Sequence, residues 1–397
     1  MRFAEAGRQA MRVLLAAAFM LATACGGDGG AEAPGDGRAN PQRYVYSPPP
    51  PNGDGWRTAD ARTAGVDVAF LEDLMQEIRA QNVGFKYVDG ILIARHGQLL
   101  FSEQIRTKLD FTDDWAGNRD PSLHVMQSVT KSFTATLIGI AIDQGHIPGV
   151  DVRVHNYFAD KLPLANWADE KADATLADWL TMRHGYLWDE WQNSYFDPAN
   201  VNYQMNAAAD PIRFLLERPL ATTPGTRFAY STGISFALGR IIQLATGERT
   251  VDFLQNHLLE PLDIRRFTYW TTSGQIHTGS SLYLTLRDMA KLGQLYLDGG
   301  TWNGRRIVSQ AWVEEAVTPH VVLDAHQYGY QWWMRTFRAG ATEYLTYHAD
   351  GLGGQYIFVF PALDAVVAVT GAAYEQAEKD QRDLTRIIQE YILPSLL

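Results

Sequence analysis

The chain of 397 residues carries a formal charge of -11 with no basic run, which excludes a phosphate backbone as partner. Its single cysteine, Cys25, excludes an intrachain disulfide, and the body of the protein has no zinc–thiolate centre or thiol nucleophile. At 46% hydrophobic and 12% aromatic, and longer than one core usually supports, the sequence is expected to form two substructures.

Arg2, Arg8 and Arg12 precede the apolar run from Val13 to Leu21, the pattern of a signal peptide over residues 1–24. The run is short for a membrane span. Ala22-Thr23-Ala24-Cys25-Gly26 resembles the bacterial lipoprotein processing site, with Ala22 where a leucine is usual. Cys25 is then the lipidation site, and plain secretion with cleavage nearby is the alternative. Either way the protein is expected to be exported, periplasmic or cell-surface, touching the membrane only through a lipid. Loss of residues 1–24 takes the charge to -13. Residues 25–60, rich in Gly, Ala, Asp and Pro, read as the lipid-anchor cysteine and a flexible tether.

Val68 to Ala80 has helical periodicity, with Val68, Leu71, Met75 and Ile78 on one face. A hairpin follows between Tyr87 and Ile105, turning at His96-Gly97. A core-facing helix runs from Ser128 to Gly145, and helices are expected at 176–182, 209–219, 234–246 and 251–259. Residues 185–205 form an aromatic and acidic loop that suits either packing between substructures or a pocket wall. The final third brings helices at 287–297 and 309–317 and aromatics of strand type from Tyr328 to Phe337. Two strands follow, Gly351 to Phe360 and Ala365 to Thr370, and a last helix over 378–391. Strands near both ends divide the chain into an α/β domain, 61–150 with 270–397, and a mainly helical domain inserted at 151–269. No internal repeat is present.

Ser128 and Lys131 share one face at a helix start, where the dipole favours negative charge. A serine there can attack a carbonyl if the lysine, its pKa lowered, accepts the proton. An ordinary capping serine followed by a surface lysine is the plain alternative. No His-Glu-x-x-His or related spacing occurs, so no metal and no cofactor is expected.

The order of further motifs makes the chain resemble the serine beta-lactamase and penicillin-binding protein superfamily, in its class C beta-lactamase-like branch. Ser128-Val129-Thr130-Lys131 matches the first motif, and Tyr230-Ser231-Thr232 matches tyrosine-x-asparagine with Thr232 in place of the asparagine. Leu352-Gly353-Gly354 is the best match to the third, lacking its basic residue and hydroxyl. Asp178 to Met182, Pro224-Gly225-Thr226 and Leu282 to Thr285 support the resemblance, which spans about 65–395. It implies the beta-lactamase/transpeptidase-like fold, α/β plus all-α, with an antiparallel sheet flanked by helices and the helical insertion. It also implies catalysis by Ser128, Lys131 and Tyr230, with an oxyanion held by the Ser128 amide and one from Gly354–Gln355. Similarity to 6-aminohexanoate-dimer hydrolases adds Tyr186 and Asp197 as candidate substrate-binding residues.

The expected activity is hydrolysis of an ester or amide through an acyl-serine, on a small-molecule substrate. Leu352 offers no charge to a substrate carboxylate, while Trp188, Trp191, Tyr195 and Phe196 suit an apolar acyl pocket. Short acyl esters are therefore expected to outrank penicillins and cephalosporins, unless Arg183, His184 or His348 replaces the missing cation. A beta-lactamase or DD-peptidase, and a non-catalytic lipoprotein binding peptide or glycan, are the alternatives. The sequence leaves the oligomeric state open.

Overall fold

Two apolar runs decide the architecture. Gln355–Phe360 and Ala365–Gly371 are buried along their whole length, so each must be covered on both faces. In the computed structural model, which describes residues 43–82, 84–374 and 385–397, they are the middle of a nine-stranded sheet. Its strands are β1 (Arg57–Thr58), β2 (Val88–Arg95), β3 (Gln98–Gln104), β4 (Val321–Val322), β5 (Gln327–Tyr328), β6 (Trp333–Ala339), β7 (Thr342–Gly351), β8 (Gln355–Phe360) and β9 (Ala365–Gly371). The order is β1-β3-β2-β9-β8-β7-β6-β5-β4, antiparallel except for the β1–β3 pair at one edge.

The two-residue period of the strands divides their side chains between two cores. Ile357, Val359, Val366 and Ala368 face helices α2 (Val129–Asp143) and α4 (Leu286–Leu297). Tyr356, Phe358, Val367 and Val369 face helix α1 (Val68–Arg79) and the C-terminal Ile387, Ile388 and Ile392. Between residues 154 and 259 the regular elements among the described residues are helical. The largest, α3 (Thr232–Thr246), is capped by Ser231, whose side chain accepts from the Ile234 amide, and packs on α2. This is the beta-lactamase/transpeptidase-like arrangement, a mixed sheet flanked by helices. No helix among the described residues is long and apolar enough to cross a membrane.

Three expectations need correction. The tether does not extend to residue 60, because Tyr44, Tyr46 and Trp56 are buried and Arg57–Thr58 joins the sheet. Pro-rich composition signalled only lack of helix; the anchoring comes from aromatic side chains interspersed through it. Strand β7, Thr342–Gly351, was not expected, because its outward residues are polar and broke the apolar pattern, and the strand expected from Gly351 begins at Gln355. The helix at 251–259 changes to π-helical winding at Gln255. The signal peptide, Cys25 and most of the expected terminal helix, 378–384, lie outside the described residues.

Tyr46 shows how the strap is held. Its hydroxyl donates to the Leu100 carbonyl at 2.8 Å and accepts from the Ala61 amide at 2.8 Å, both buried. Tyr46→Phe leaves two buried backbone groups without a partner and is expected to destabilise the fold by about 1–3 kcal/mol. Urea unfolding of both proteins measures this, and coincident midpoints would contradict the assigned anchor.

Candidate active site

The head of α2 is fixed before its side chains matter. Met126 donates its amide to the Leu282 carbonyl at 2.7 Å, tying the segment to a short ribbon in which His124–Val125 pairs with Leu282–Leu284. Gln127 then adopts φ +47°, a left-handed conformation uncommon outside glycine, which turns the chain into the helix. The amides of Val129, Thr130 and Lys131 donate to the carbonyls of Met126, Gln127 and Ser128. Among the described residues the Ser128 amide has no backbone acceptor. Ser128 remains partly exposed between buried neighbours.

Lys131 lies under it, 1% exposed. Its Nζ donates to Ser128 Oγ at 2.9 Å, to Thr232 Oγ1 at 3.1 Å and to the Gly279 carbonyl at 2.9 Å. Burial lowers its pKa to about 8, against the pull of Glu190 and Asp350, which favour the charged form. Tyr230 is buried and hydrogen-bonded to Ser128, with Lys131 Nζ 5.0 Å from its ring centroid. Burial holds the phenol neutral, raising its pKa well above the ordinary value. The segment before it is fixed by His184 Nε2 donating to the Ala229 carbonyl and by the Ala229 amide donating to Met182.

Glu190 is the site residue that sequence reasoning did not single out. It is 1% exposed and accepts four hydrogen bonds, from the Thr232 amide (2.7 Å), Thr232 Oγ1 (2.6 Å), Trp188 Nε1 (2.8 Å) and Tyr195 Oη (2.8 Å). Thr232 therefore hands its proton side to Glu190 and its lone pair to Lys131, linking carboxylate, hydroxyl, amine and serine. The signal was an acid set between Trp188 and Trp191 in the aromatic loop, where packing and pocket-wall readings were both open.

The other wall is the end of β7. A Cβ on Gly351 would fall 2.5 Å from the Met126 carbonyl oxygen and 3.2 Å from Gln127 Cβ, so this position must be glycine for the strand to reach the head of α2. The motif at the site is thus Ala349-Asp350-Gly351, three residues before the expected Leu352-Gly353-Gly354. Period-two alternation does not fix which glycine meets the helix. Ala349 stands where a basic residue was sought, and in place of the hydroxyl stands Asp350. Burial raises its pKa to about 6, opposed by Arg335, Tyr356 and Lys131.

Several expected roles fail. The Gly354 amide is already given to the Gly351 carbonyl, and the Gln355 side chain bridges the amide and carbonyl of Gly371, so both build the turn. The Leu352 amide, in contrast, has no backbone acceptor among the described residues. Tyr186 is core: its hydroxyl meets His155 Nε2 at 2.9 Å and its ring covers Lys171. Asp197 caps its own loop by accepting from the Ala199 amide. Trp188 sits behind Glu190 and does not line the cleft. Arg183 turns to Thr181, and burial keeps His184, near 4, and His348 neutral, so none replaces a substrate-binding cation.

Among the described residues one cluster has metal-ligand chemistry: atoms of Asp89, Asp110 and His124 lie within 4.8 Å of one another. His124 Nε2 already meets Asp89 Oδ2 at 2.9 Å, and Arg106 lies 3.7 Å from Asp110, so these groups are partnered within the protein.

The family model described as Beta-lactamase matches residues 68–391. The chain is 27% identical to 6-aminohexanoate-dimer hydrolase of Paenarthrobacter ureafaciens over 279 residues, 64% of this chain and 67% of that protein. It is 24% identical to lovastatin esterase of Penicillium rubens over 28% of this chain and 26% of the other. Among solved structures, EstCE1, a hydrolase with promiscuous acyltransferase activity, shares the fold with a TM-score of 0.63 at 15% identity, covering 80% of this chain and 98% of that one.

If Lys131 must be a free amine, reaction of the protein with a fluorophosphonate should accelerate with rising pH and level off above about 8. Glu190 favours the ammonium, so Glu190→Gln should move that midpoint to lower pH, as intact-mass time courses across pH would reveal. A midpoint that stays or rises would refute the electrostatic role given to Glu190.

Proposed function

Because the chain belongs to the beta-lactamase family of hydrolases, we propose that it cleaves uncharged linear esters or amides through an acyl-Ser128 intermediate. The observation that carries this reading is one serine oxygen hydrogen-bonded to both a buried amine of lowered pKa and a buried neutral phenol.

In the proposed sequence, Lys131 as free amine takes the Ser128 proton while Oγ attacks the carbonyl carbon. The developing oxyanion is met by the amides of Ser128 and Leu352, each without a backbone acceptor among the described residues and on facing sides of the Gln127–Gly351 contact. Tyr230 passes a proton to the leaving alkoxide or amine. Water then attacks the acyl carbon by the same route in reverse, restoring Ser128 and releasing the acid. Gly279 and Thr232 keep the amine aimed at Ser128 through each proton transfer.

Substrate choice follows from charge. A carboxylate on the substrate would meet uncharged Ala349 where a cation would be needed, with Asp350 beside it. The missing charge-assisted hydrogen bond alone costs about 1.5–3 kcal/mol, on the order of 10- to 100-fold in rate. The names of the curated relatives, a hydrolase of 6-aminohexanoate dimers and an esterase, support a non-lactam substrate.

For an aryl acetate, kcat/KM is expected to exceed that for a cephalosporin by at least about tenfold, by the same reckoning. Ser128→Ala should lower ester turnover by roughly 10³ or more, the scale of losing a nucleophile. A cephalosporin matching the ester would reverse the substrate assignment, and full turnover by the alanine variant would remove the mechanism. The anchoring proposal has its own test. Cys25→Ser should shift the protein from the membrane pellet to the soluble fraction, and an unchanged pellet would count against lipidation.

A further inference from the structure

Building on that reading, we infer that the cleft is selective for a medium-length apolar acyl chain, held by an aromatic arch on the side of Ser128 away from Tyr230. The arch starts on the turn beside the nucleophile. Tyr374 packs on Gly353, where a Cβ would fall 2.6 Å from its ring. Phe111 meets Tyr374 at 5.3 Å between centroids, and Phe196 meets Phe111 at 5.9 Å. Trp115 closes against both, 5.7 Å from Phe111 and 6.4 Å from Phe196. The rings thus run from the sheet wall of the cleft to the loop carrying Glu190, which is the helical wall.

These rings are not ordinary core. Phe111, Trp115 and Phe196 are 39%, 36% and 41% exposed, which is a contiguous apolar surface left open to solvent. A separate aromatic group lies around Tyr230, where Trp191 and Trp333 stack on the phenol at 5.2 and 5.7 Å. No ring of one group contacts a ring of the other among the described residues.

Chemistry assigns the two sides. Tyr230 delivers a proton to the leaving group, so Trp191 and Trp333 flank that group. The arch adjoins the Leu352 turn, where the carbonyl oxygen points, and lies on the acyl side. Its exposed rings offer apolar contact, and the Asp110 carboxylate, whose effect on Tyr374 exceeds that of Arg106, repels an anionic chain. The occupant is therefore an uncharged alkyl or aryl acyl group long enough to reach the rings.

Each methylene fully withdrawn from water is worth about fourfold, and partly open rings give less. For p-nitrophenyl esters, kcat/KM should rise on the order of tenfold from acetate to hexanoate. The double variant Phe111→Ser with Phe196→Ser should bring that ratio to within about threefold of one. Leu345→Ser, which removes a still more exposed leucine from the far part of β7, should keep the wild-type ratio. Thermal melting of each variant establishes that the fold is retained. A flat wild-type profile, a double variant that keeps the ratio, or an equal loss in Leu345→Ser would each overturn the inference.

A second readout separates this site from the catalytic proposal. In Ser128→Ala protein, quenching of tryptophan fluorescence should report tighter binding of 2-octanone than of 2-butanone by about tenfold, and the two serine substitutions should erase the difference. Ketone discrimination without any ester turnover in the wild type would remove the serine-hydrolase reading and leave the apolar site. Turnover without ketone discrimination would remove the apolar site alone.

Discussion

The structure depends on keeping the Lys131 amine out of water and beside Ser128. Burying a lysine costs several kcal/mol unless its donors are met, and here three acceptors from three separate segments meet them. Ser128 comes from the head of α2, Thr232 from the start of α3, and Gly279 from the loop before the short ribbon. Holding one amine therefore fixes the relative position of two helices and a loop. Glu190 completes the arrangement from a fourth segment without touching Lys131, because Thr232 stands between them. The carboxylate is thereby close enough to stabilise the charged amine, and the amine still titrates near neutral pH rather than being locked as a permanent ion pair.

The sheet supplies the other half of the constraint. Residues of β8 and β9 are committed to two cores, so β7 has little freedom to slide against them. Its register puts Gly351 opposite Gln355 and brings the strand end against Met126 and Gln127. The strained backbone of Gln127 is tolerable because its neighbours over-determine it. Met126 is hydrogen-bonded to Leu282 on one side, and Gly351 closes the other. The position of one serine is thus set by a lysine network from the helical side and by strand register from the sheet side.

Much of this was legible in the sequence because it rests on local pattern. The periodicity of α2, the Ser-x-x-Lys spacing and the apolar runs of β8 and β9 each follow from a rule acting over fewer than about 20 residues. Tyr230 needed the order of motifs, and its contact with Ser128 follows from the fold. What stayed hidden depends on contacts distant in sequence. Glu190 accepts from Thr232, 42 residues away, and nothing local distinguishes it from Asp189 beside it. The strap at Tyr44 and Tyr46 was masked by prolines, although both tyrosines are buried. Asp350 escaped because three nearby glycines made the strand end ambiguous by three residues, and only the clash at Gly351 resolves it.

The charges around the nucleophile carry the last step. Lys131 is accompanied by Glu190, held by four donors and so unavailable to substrate, and by Asp350, which is only partly buried. Burial inclines Asp350 toward its neutral form with a pKa of about 6, so above that pH the site holds two carboxylates against one titrating amine. An anionic substrate would then add a third negative charge in a region of low dielectric, where each pair is worth more than in water. A neutral substrate adds none, and in the proposed mechanism Lys131 can then reach its free-amine form without being held charged by a bound anion. On the proposed mechanism, the same carboxylates that keep the amine from becoming too weak a base would set the cleft against charged acyl groups and leave apolar contact as the means of recognition.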